Sequence, residues 1–191
     1  MAHAAPRRAS YAEYLALEES SETKHEYVAG VIVAMSGGTI EHGRIIGRLT
    51  VLLSNALAGR PCAVLPSDVR VRIRTADRAT YPDLHVVCGA VERDPEDERA
   101  VVNPIAIVEV LSDSTAESDR GDTFADYRRL RSLRECVLVS QRERRVDVYR
   151  RDGRRWLLDE HGRGETFHLE SLGVSVAVDE AYVDALGPIV A

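Results

Sequence analysis

Lysine is almost missing from this chain: of its 25 basic residues only Lys24 is a lysine, and every other one is arginine. Aromatic residues make up just 5%, with Trp156 the single tryptophan, which argues against a cleft built to stack sugar rings and so against a glycosidase-like pair of acids. Cys62, Cys88 and Cys136 lie far apart with no Cys-x-x-Cys or Cys/His cluster. Neither a disulfide framework nor a zinc site is therefore predicted, and each cysteine, set in an apolar segment, reads as a buried thiol. No apolar run approaches the roughly 20 residues that cross a bilayer, so no membrane partner is expected. The stretch from Met1 to Ser10 lacks the apolar core of a secretion signal, which makes a cytoplasmic location the expectation.

No internal repeat, low-complexity tract or linker interrupts the chain. Its 191 residues suit a single domain with a core of its own, preceded by a disordered tail over residues 1–9. With 31 acidic against 25 basic residues the formal charge is −6, which excludes non-specific coating of nucleic acid but not a local basic cleft. Arginines gather at Arg70, Arg72 and Arg74, at Arg128, Arg129, Arg131 and Arg134, and from Arg142 to Arg155; each group taken alone reads as a solvated face. The charged segment Glu92 to Arg99, with Pro95, reads as a solvent-exposed loop.

Ser10-Tyr11-Ala12-Glu13 has the form of a capping box and opens a helix to about Glu19. Tyr27-Val28 and Val31-Ile32-Val33 flank Ala29-Gly30 as in a hairpin. Ile45, Leu49, Leu52, Leu53 and Ala56 recur at helical spacing, predicting a helix from about Ile40 to Ala58. From Asp68 to Arg74 apolar and arginine residues alternate, as in a half-buried strand. Asp83 to Cys88, Ile105 to Leu111 and Glu135 to Ser140 have strand length. Ser114-Thr115-Ala116-Glu117 is a second capping box, predicting a helix to about Leu130. Four further segments, Val146 to Tyr149, Arg155 to Leu158, Thr166 to Leu169 and Val174 to Val178, suggest an antiparallel extension before a short last helix. This order predicts an α/β (α+β) domain with a mixed β-sheet flanked by helices and antiparallel strands added in the C-terminal part.

Glu109 is the most informative residue. It interrupts Ile105-Ala106-Ile107-Val108-Glu109-Val110-Leu111, a run suited to burial on both faces of a sheet, where a carboxylate is costly unless it is paired or bound to a cation. A salt bridge to an arginine answers that need as well as a metal does. Asp83, in Tyr81-Pro82-Asp83-Leu84, stands at the start of another strand. Neighbouring strands are about 4.8 Å apart, so the two carboxylates can meet at one divalent ion; Mg²⁺ commonly takes one or two carboxylates and completes its shell with water and phosphate. A Pro-Asp turn at the strand entrance is the plain alternative for Asp83.

The pair resembles the PD-(D/E)XK nuclease signature, in which an Asp after Pro and a Glu one strand later hold the metal. The resemblance extends further. His25-Glu26-Tyr27-Val28-Ala29-Gly30, Tyr81-Pro82-Asp83, Val108-Glu109-Val110-Leu111-Ser112 and Asp119-Arg120-Gly121-Asp122 follow the order of the Uma-two-type restriction endonucleases. The stretch Tyr127-Arg128-Arg129-Leu130-Arg131-Ser132-Leu133-Arg134-Glu135 and the following Val137-Leu138-Val139-Ser140-Gln141 are similar to the same family. From about Tyr11 to Val183 this resemblance implies a restriction-endonuclease-like core and Mg²⁺- or Mn²⁺-dependent hydrolysis of DNA phosphodiester bonds. It also implies Asp83 and Glu109 as metal ligands, and Glu26 as an additional acidic residue that orients water or holds a second ion.

Chemically, one position departs from the family. The E-x-K form would place lysine at 111, where this chain has Leu111. The Uma-two-type lysine follows Asp119-Arg120-Gly121-Asp122, where this chain has Thr123, a residue that hydrogen-bonds but carries no charge. Arg120, three residues earlier, is the expected phosphate contact in its stead. Lys24, close to Glu26 in sequence, reads instead as an exposed linker residue. His42, at the start of the second helix, is either a phosphate contact by family position or a solvent-exposed side chain, and His85 reads as packed. Ser36-Gly37-Gly38-Thr39 lacks a P-loop lysine and reads as a turn; Ser112 and Ser114 lack the G-x-S-x-G elbow of a serine hydrolase. The sequence thus predicts a metal-dependent endonuclease acting on DNA, weakened by Thr123. The alternative is a silent relative that binds nucleic acid or a partner. A homodimer suits the cutting of two strands.

Overall fold

The structure, a computed structural model, describes residues 8–112 and 119–183. Ser10 caps helix α1 (Tyr11–Ser20) reciprocally with Glu13, each side chain accepting from the other's backbone N–H. A hairpin follows, β1 (His25–Val28) and β2 (Val31–Ala34), turned at Ala29 and Gly30, both at positive φ. Gly30 is needed twice over, since a Cβ there would also lie 2.5 Å from Cβ of Arg8. Thr39 caps the long helix α2 (Ile40–Ala56) by accepting from the His42 N–H at 3.1 Å.

The chain then makes β3 (Cys62–Pro66), β4 (Arg70–Ile73), a 3₁₀ turn (Arg74–Ala76), β5 (Arg78–Thr80) and β6 (Leu84–Cys88). Next come β7 (Arg93–Asp94), β8 (Asp97–Val101) and β9 (Ala106–Leu111). A π-helical turn (Asp119–Thr123) runs into the short helix α3 (Phe124–Tyr127). Strands β10 (Glu135–Ser140), β11 (Val146–Asp152), β12 (Arg155–His161), β13 (Thr166–Leu169) and β14 (Val174–Ala177) lead to α4 (Val178–Ala181).

The mixed sheet flanked by helices is present, with its strands divided between two sheets. The first has the order β2-β1-β5-β4-β8-β7 and the second β12-β11-β10-β9-β6-β3, each mixing one parallel pair into antiparallel neighbours; β13 and β14 form a separate ribbon. Against one face of the second sheet, α2 sets Ile45, Leu49 and Leu53 on Val86, Val108 and Val137, with the ribbon and α4 completing the layer. Against the other face pack Phe124, Tyr127 and Leu130, together with Val71 and Ile73 of β4. Alternation in β9 therefore sends Ala106, Val108 and Val110 to the first layer, and Ile107, Glu109 and Leu111 to the second.

Four sequence expectations are corrected. Cys62 and Cys88 are not thiols but form a disulfide, because the antiparallel register of β3 and β6 sets them directly opposite each other; only Cys136 is a free buried thiol. The β4 strand is not half-solvated. Arg70 and Arg72 are buried, Arg70 bonded through Nε and NH2 to both oxygens of Asp97 at 2.9 Å, and Arg72 lying 4.0 Å over the Tyr11 ring. The charged segment Glu92 to Arg99 is not an open loop: β7 and β8 pair within it, and Asp94 and Asp97 turn inward to Arg74 and Arg70. The helix expected to reach Leu130 stops at Tyr127, although Leu130 is still buried; its capping box, Ser114 to Glu117, lies outside the described residues, as does most of the expected tail. Among the described residues no helix is long and apolar enough to cross a membrane.

Candidate active site

Between the two sheets opens a cleft of about 540 Å³, and the link from β5 to β6 is what joins them there. Thr80 ends a strand of the first sheet, Tyr81 and Pro82 cross over, and Asp83 stands at the entrance of β6 in the second. Antiparallel pairing of Leu84 with Val108 sets Asp83 opposite Glu109 one step further along. Each carboxylate accepts from the other strand's backbone. The Asp83 N–H donates to Glu109 Oε2 at 3.1 Å, and the Val110 N–H donates to Asp83 Oδ2 at 2.7 Å. These exchanged bonds fix both side chains to the sheet rather than to each other. The buried Tyr127 hydroxyl donates to Glu109 Oε1 at 2.5 Å, which closes the layer over it.

His42, in the first turn of α2, brings Nε2 to 3.2 Å from Asp83 Oδ2, with both side chains 17% exposed. Gly38 leaves room for it, since a Cβ there would stand 2.7 Å from His42 Nδ1. Glu26 reaches the cleft from β1, accepting from the Thr80 hydroxyl and from Arg78 NH2, the latter at 3.1 Å. Thr123, buried at the end of the π-helical turn, takes a second bond from Arg78 NH2 at 3.2 Å.

Burial, and after it the charges of Asp83 and Asp119, push the Glu109 carboxyl well above the usual carboxylate range. The hydrogen bond to Asp83, acting against burial, raises the His42 imidazole above its ordinary value. An ionised Glu109 is therefore costly here unless a cation shares the cleft.

Of the residues singled out from the sequence, Glu26, His42, Asp83, Glu109 and Thr123 all line this cleft. Arg120 does not: its guanidinium lies 3.6 Å from Asp147 on β11. Lys24 is tied to Asp68 and to the Ser67 carbonyl, beside a different hollow. His85 is fully buried, its ring nitrogens without a hydrogen-bond partner among the described residues. Sequence reasoning missed Arg78, Asp119 as a lining acid, and Tyr127 as the partner of Glu109. A signal for Arg78 existed: it shares the alternation of Thr80 along β5, in a strand that must cover Tyr27, so its charge had to find acids.

Fold and cleft together define an α+β protein with an acidic pair at the mouth of two adjacent strands and a guanidinium supplied by a second sheet. The chain belongs to the Uma2 family, described as putative restriction endonuclease, which it matches over residues 11–179. Two proteins of Synechocystis sp. are similar to it. The uncharacterized protein slr1290 is 37% identical over 171 residues, 89% of either chain, and the uncharacterized protein sll1609 is 35% identical over 150 residues, 78% of this chain and 85% of that one. The crystal structure of a putative nuclease belonging to DUF820 from Anabaena variabilis shares the fold, with a TM-score of 0.70 at 16% identity, over 84% of this chain and 90% of the other.

Proposed function

We propose that this chain is a divalent-cation-dependent endonuclease that hydrolyses DNA phosphodiester bonds at the cleft between its two sheets. The observation that carries this reading is the interlocked pair of Asp83 and Glu109, held open to the cleft by exchanged backbone bonds. Both known contacts of the Asp83 carboxylate fall on Oδ2, with Oδ1 outside them, and each Glu109 oxygen accepts one bond and keeps a second lone pair. An all-oxygen set with two carboxylates fits Mg²⁺ or Mn²⁺, which completes its shell with water and phosphate oxygens. Bound there, such an ion supplies Lewis-acid polarisation and a more acidic water.

The chain's own residues do the rest. Asp83 and Glu109 hold the cation and are relieved of their mutual repulsion by it. His42, kept charged more readily by Asp83, donates to a phosphate oxygen from the first turn of α2. Glu26, steadied by Thr80 and Arg78, accepts a hydrogen bond from the attacking water and so orients it.

Supercoiled plasmid incubated with Mg²⁺ or Mn²⁺ tests this. The parent is expected to nick it, and Asp83→Asn and Glu109→Gln to lose about 10³-fold in rate, the scale of removing a principal electrostatic contact. Cleavage that survives Asp83→Asn would sink the site.

A second reading rests on Thr123, which puts a neutral side chain where the family's lysine is expected: a silent relative that binds nucleic acid without cutting it. Plasmid left intact by the parent but nicked by Thr123→Lys favours that reading. Calorimetry separates both from a plain structural cleft, since Mn²⁺ binding lost in Glu109→Gln is expected only of a metal site.

A further inference from the structure

Glu26, Asp83, Glu109 and Asp119 give the cleft four acids, and Arg78 is the one lysine or arginine among the described residues that line it. Its side chain, 7% exposed, is held from three sides. NH2 donates to Glu26 Oε2 at 3.1 Å and to Thr123 Oγ1 at 3.2 Å, while NH1 faces Asp126 Oδ2 at the longer distance of 3.5 Å. Its Nε meets no acceptor among the described residues. A guanidinium has five N–H donors in a rigid plane and remains charged at any working pH. Two of the five are committed to good hydrogen bonds here, so the group is aimed but not saturated.

Thr123 acquires a purpose from this contact. It does not replace a lysine by itself; it hydrogen-bonds the cation that arrives from the first sheet. Glu26 and Thr123 grip the same nitrogen, one from β1 of the first sheet and one from the π-helical turn, so the plane of the guanidinium is set from two separate elements. Fixed donors facing a site where negative charge accumulates stabilise it without reorganisation.

We propose that Arg78 is a phosphate-binding cation of this cleft beside His42, touching non-bridging oxygens of the phosphodiester, with Thr123 and Glu26 as its positioning residues. This rests on the phosphodiester reading of the cleft, but it is tested separately from cleavage.

The test joins spectroscopy to kinetics. In protein labelled with ¹⁵N-arginine, the Nε–H signal that Arg78→Lys removes belongs to Arg78. The dinucleotide TpT with Mg²⁺ is expected to shift that signal, and Mg²⁺ alone to leave it nearly in place. In plasmid nicking, Arg78→Gln is expected to lower kcat on the order of 100-fold with KM little changed, and Arg78→Lys on the order of tenfold. Thr123→Lys alone is expected to gain nothing, because it sets a second cation against Arg78. Combined with Arg78→Gln it moves the charge by one side chain and is expected to recover about tenfold over Arg78→Gln.

An active parent whose Arg78 signal ignores TpT overturns the inference and leaves the nuclease reading standing. An inactive parent whose signal moves with TpT upholds Arg78 as a phosphate ligand while the nuclease reading falls. Silence in both experiments removes both. If Arg78→Gln fails to fold, the signal in the parent and the kinetics of Arg78→Lys still decide.

Discussion

The two sheets bury opposite kinds of matter. Inside the first lie Arg70, Arg72, Arg78, Asp94 and Asp97, under a small cap of Tyr11, Tyr14 and Tyr27. The second is sealed by α2 on one face and by the Phe124 to Leu130 segment on the other, with aliphatic side chains on both. Two of its buried acids, Glu135 and Asp147, are met by Arg150 and Arg145, and its buried His85 has no hydrogen-bond partner among the described residues. The contrast explains the division of labour at the cleft. The second sheet sets two carboxylates at a fixed spacing because exchanged backbone bonds hold them between two packed apolar layers. The polar sheet already stabilises buried guanidinium groups, so it can lend one.

The polar sheet should accordingly break hardest. Asp97→Ala strands Arg70 and the Tyr11 hydroxyl without their shared acceptor, and is expected to cost about 4 kcal/mol in urea unfolding. A paired exchange, Arg70→Met with Asp97→Leu, should recover most of that loss, because the penalty comes from the abandoned charge.

Leu53→Ala probes the apolar side. Leu53 is 1% exposed in α2, and its truncation is expected to cost about 3 kcal/mol while Mn²⁺ affinity stays at the parent's value.

His85 offers a comparison through pH. Burial holds its imidazole down to about 4 against an ordinary 6.5, so the fold keeps it neutral while the unfolded chain takes up a proton on acidification. Its contribution is complete above pH 6.5 and is lost as pH falls from there to about 4. At about 1.4 kcal/mol per unit this amounts to about 3 kcal/mol. Unfolding measured at about pH 7 and about pH 4.5 should show the parent losing about 2 kcal/mol more than His85→Leu; equal losses would place the buried ring in contact with an acid after all.

The smallest effect is expected of Tyr127→Phe, which removes one hydrogen bond to Glu109 and costs about 1.5 kcal/mol. Its use is diagnostic. Mn²⁺ binding should persist, because the backbone bond from Asp83 still orients Glu109.

Much of this was legible in the sequence, for a physical reason. Glu109 inside an aliphatic run and Asp83 behind a proline violate the local pattern, and a violation can be seen without knowing the fold. The capping box at Ser10 and the hairpin at Ala29-Gly30 are likewise written in adjacent residues. What stayed hidden depends on register. Cys62 and Cys88 are 26 residues apart, and only the alignment of β3 with β6 makes them neighbours. Arg78 meets Glu26 only because β1 and β5 pair in one register and not another. Asp94 and Asp97 looked solvated because hydrophilic segments usually are; their acceptors were wanted by arginines on β4 and just beyond it. Arg120 fails for a related reason: helical spacing placed it beside Thr123, but Asp147 holds it.

The crossing from β5 to β6 is three residues long, from Tyr81 to Asp83. Three residues span at most about 10 Å, so the link is a short strap between the two sheets, entered from Thr80 and ending at Asp83. For the gene that encodes it, the consequence is a rule about length more than about content. Exchanges of Tyr81 leave the strap's reach unchanged, whereas a single added codon would reverse the pleat at Asp83 and along β6 and turn the acid away from the cleft. Drift at Tyr81 should therefore proceed by substitution, while Asp83 is kept and insertions and deletions are purged.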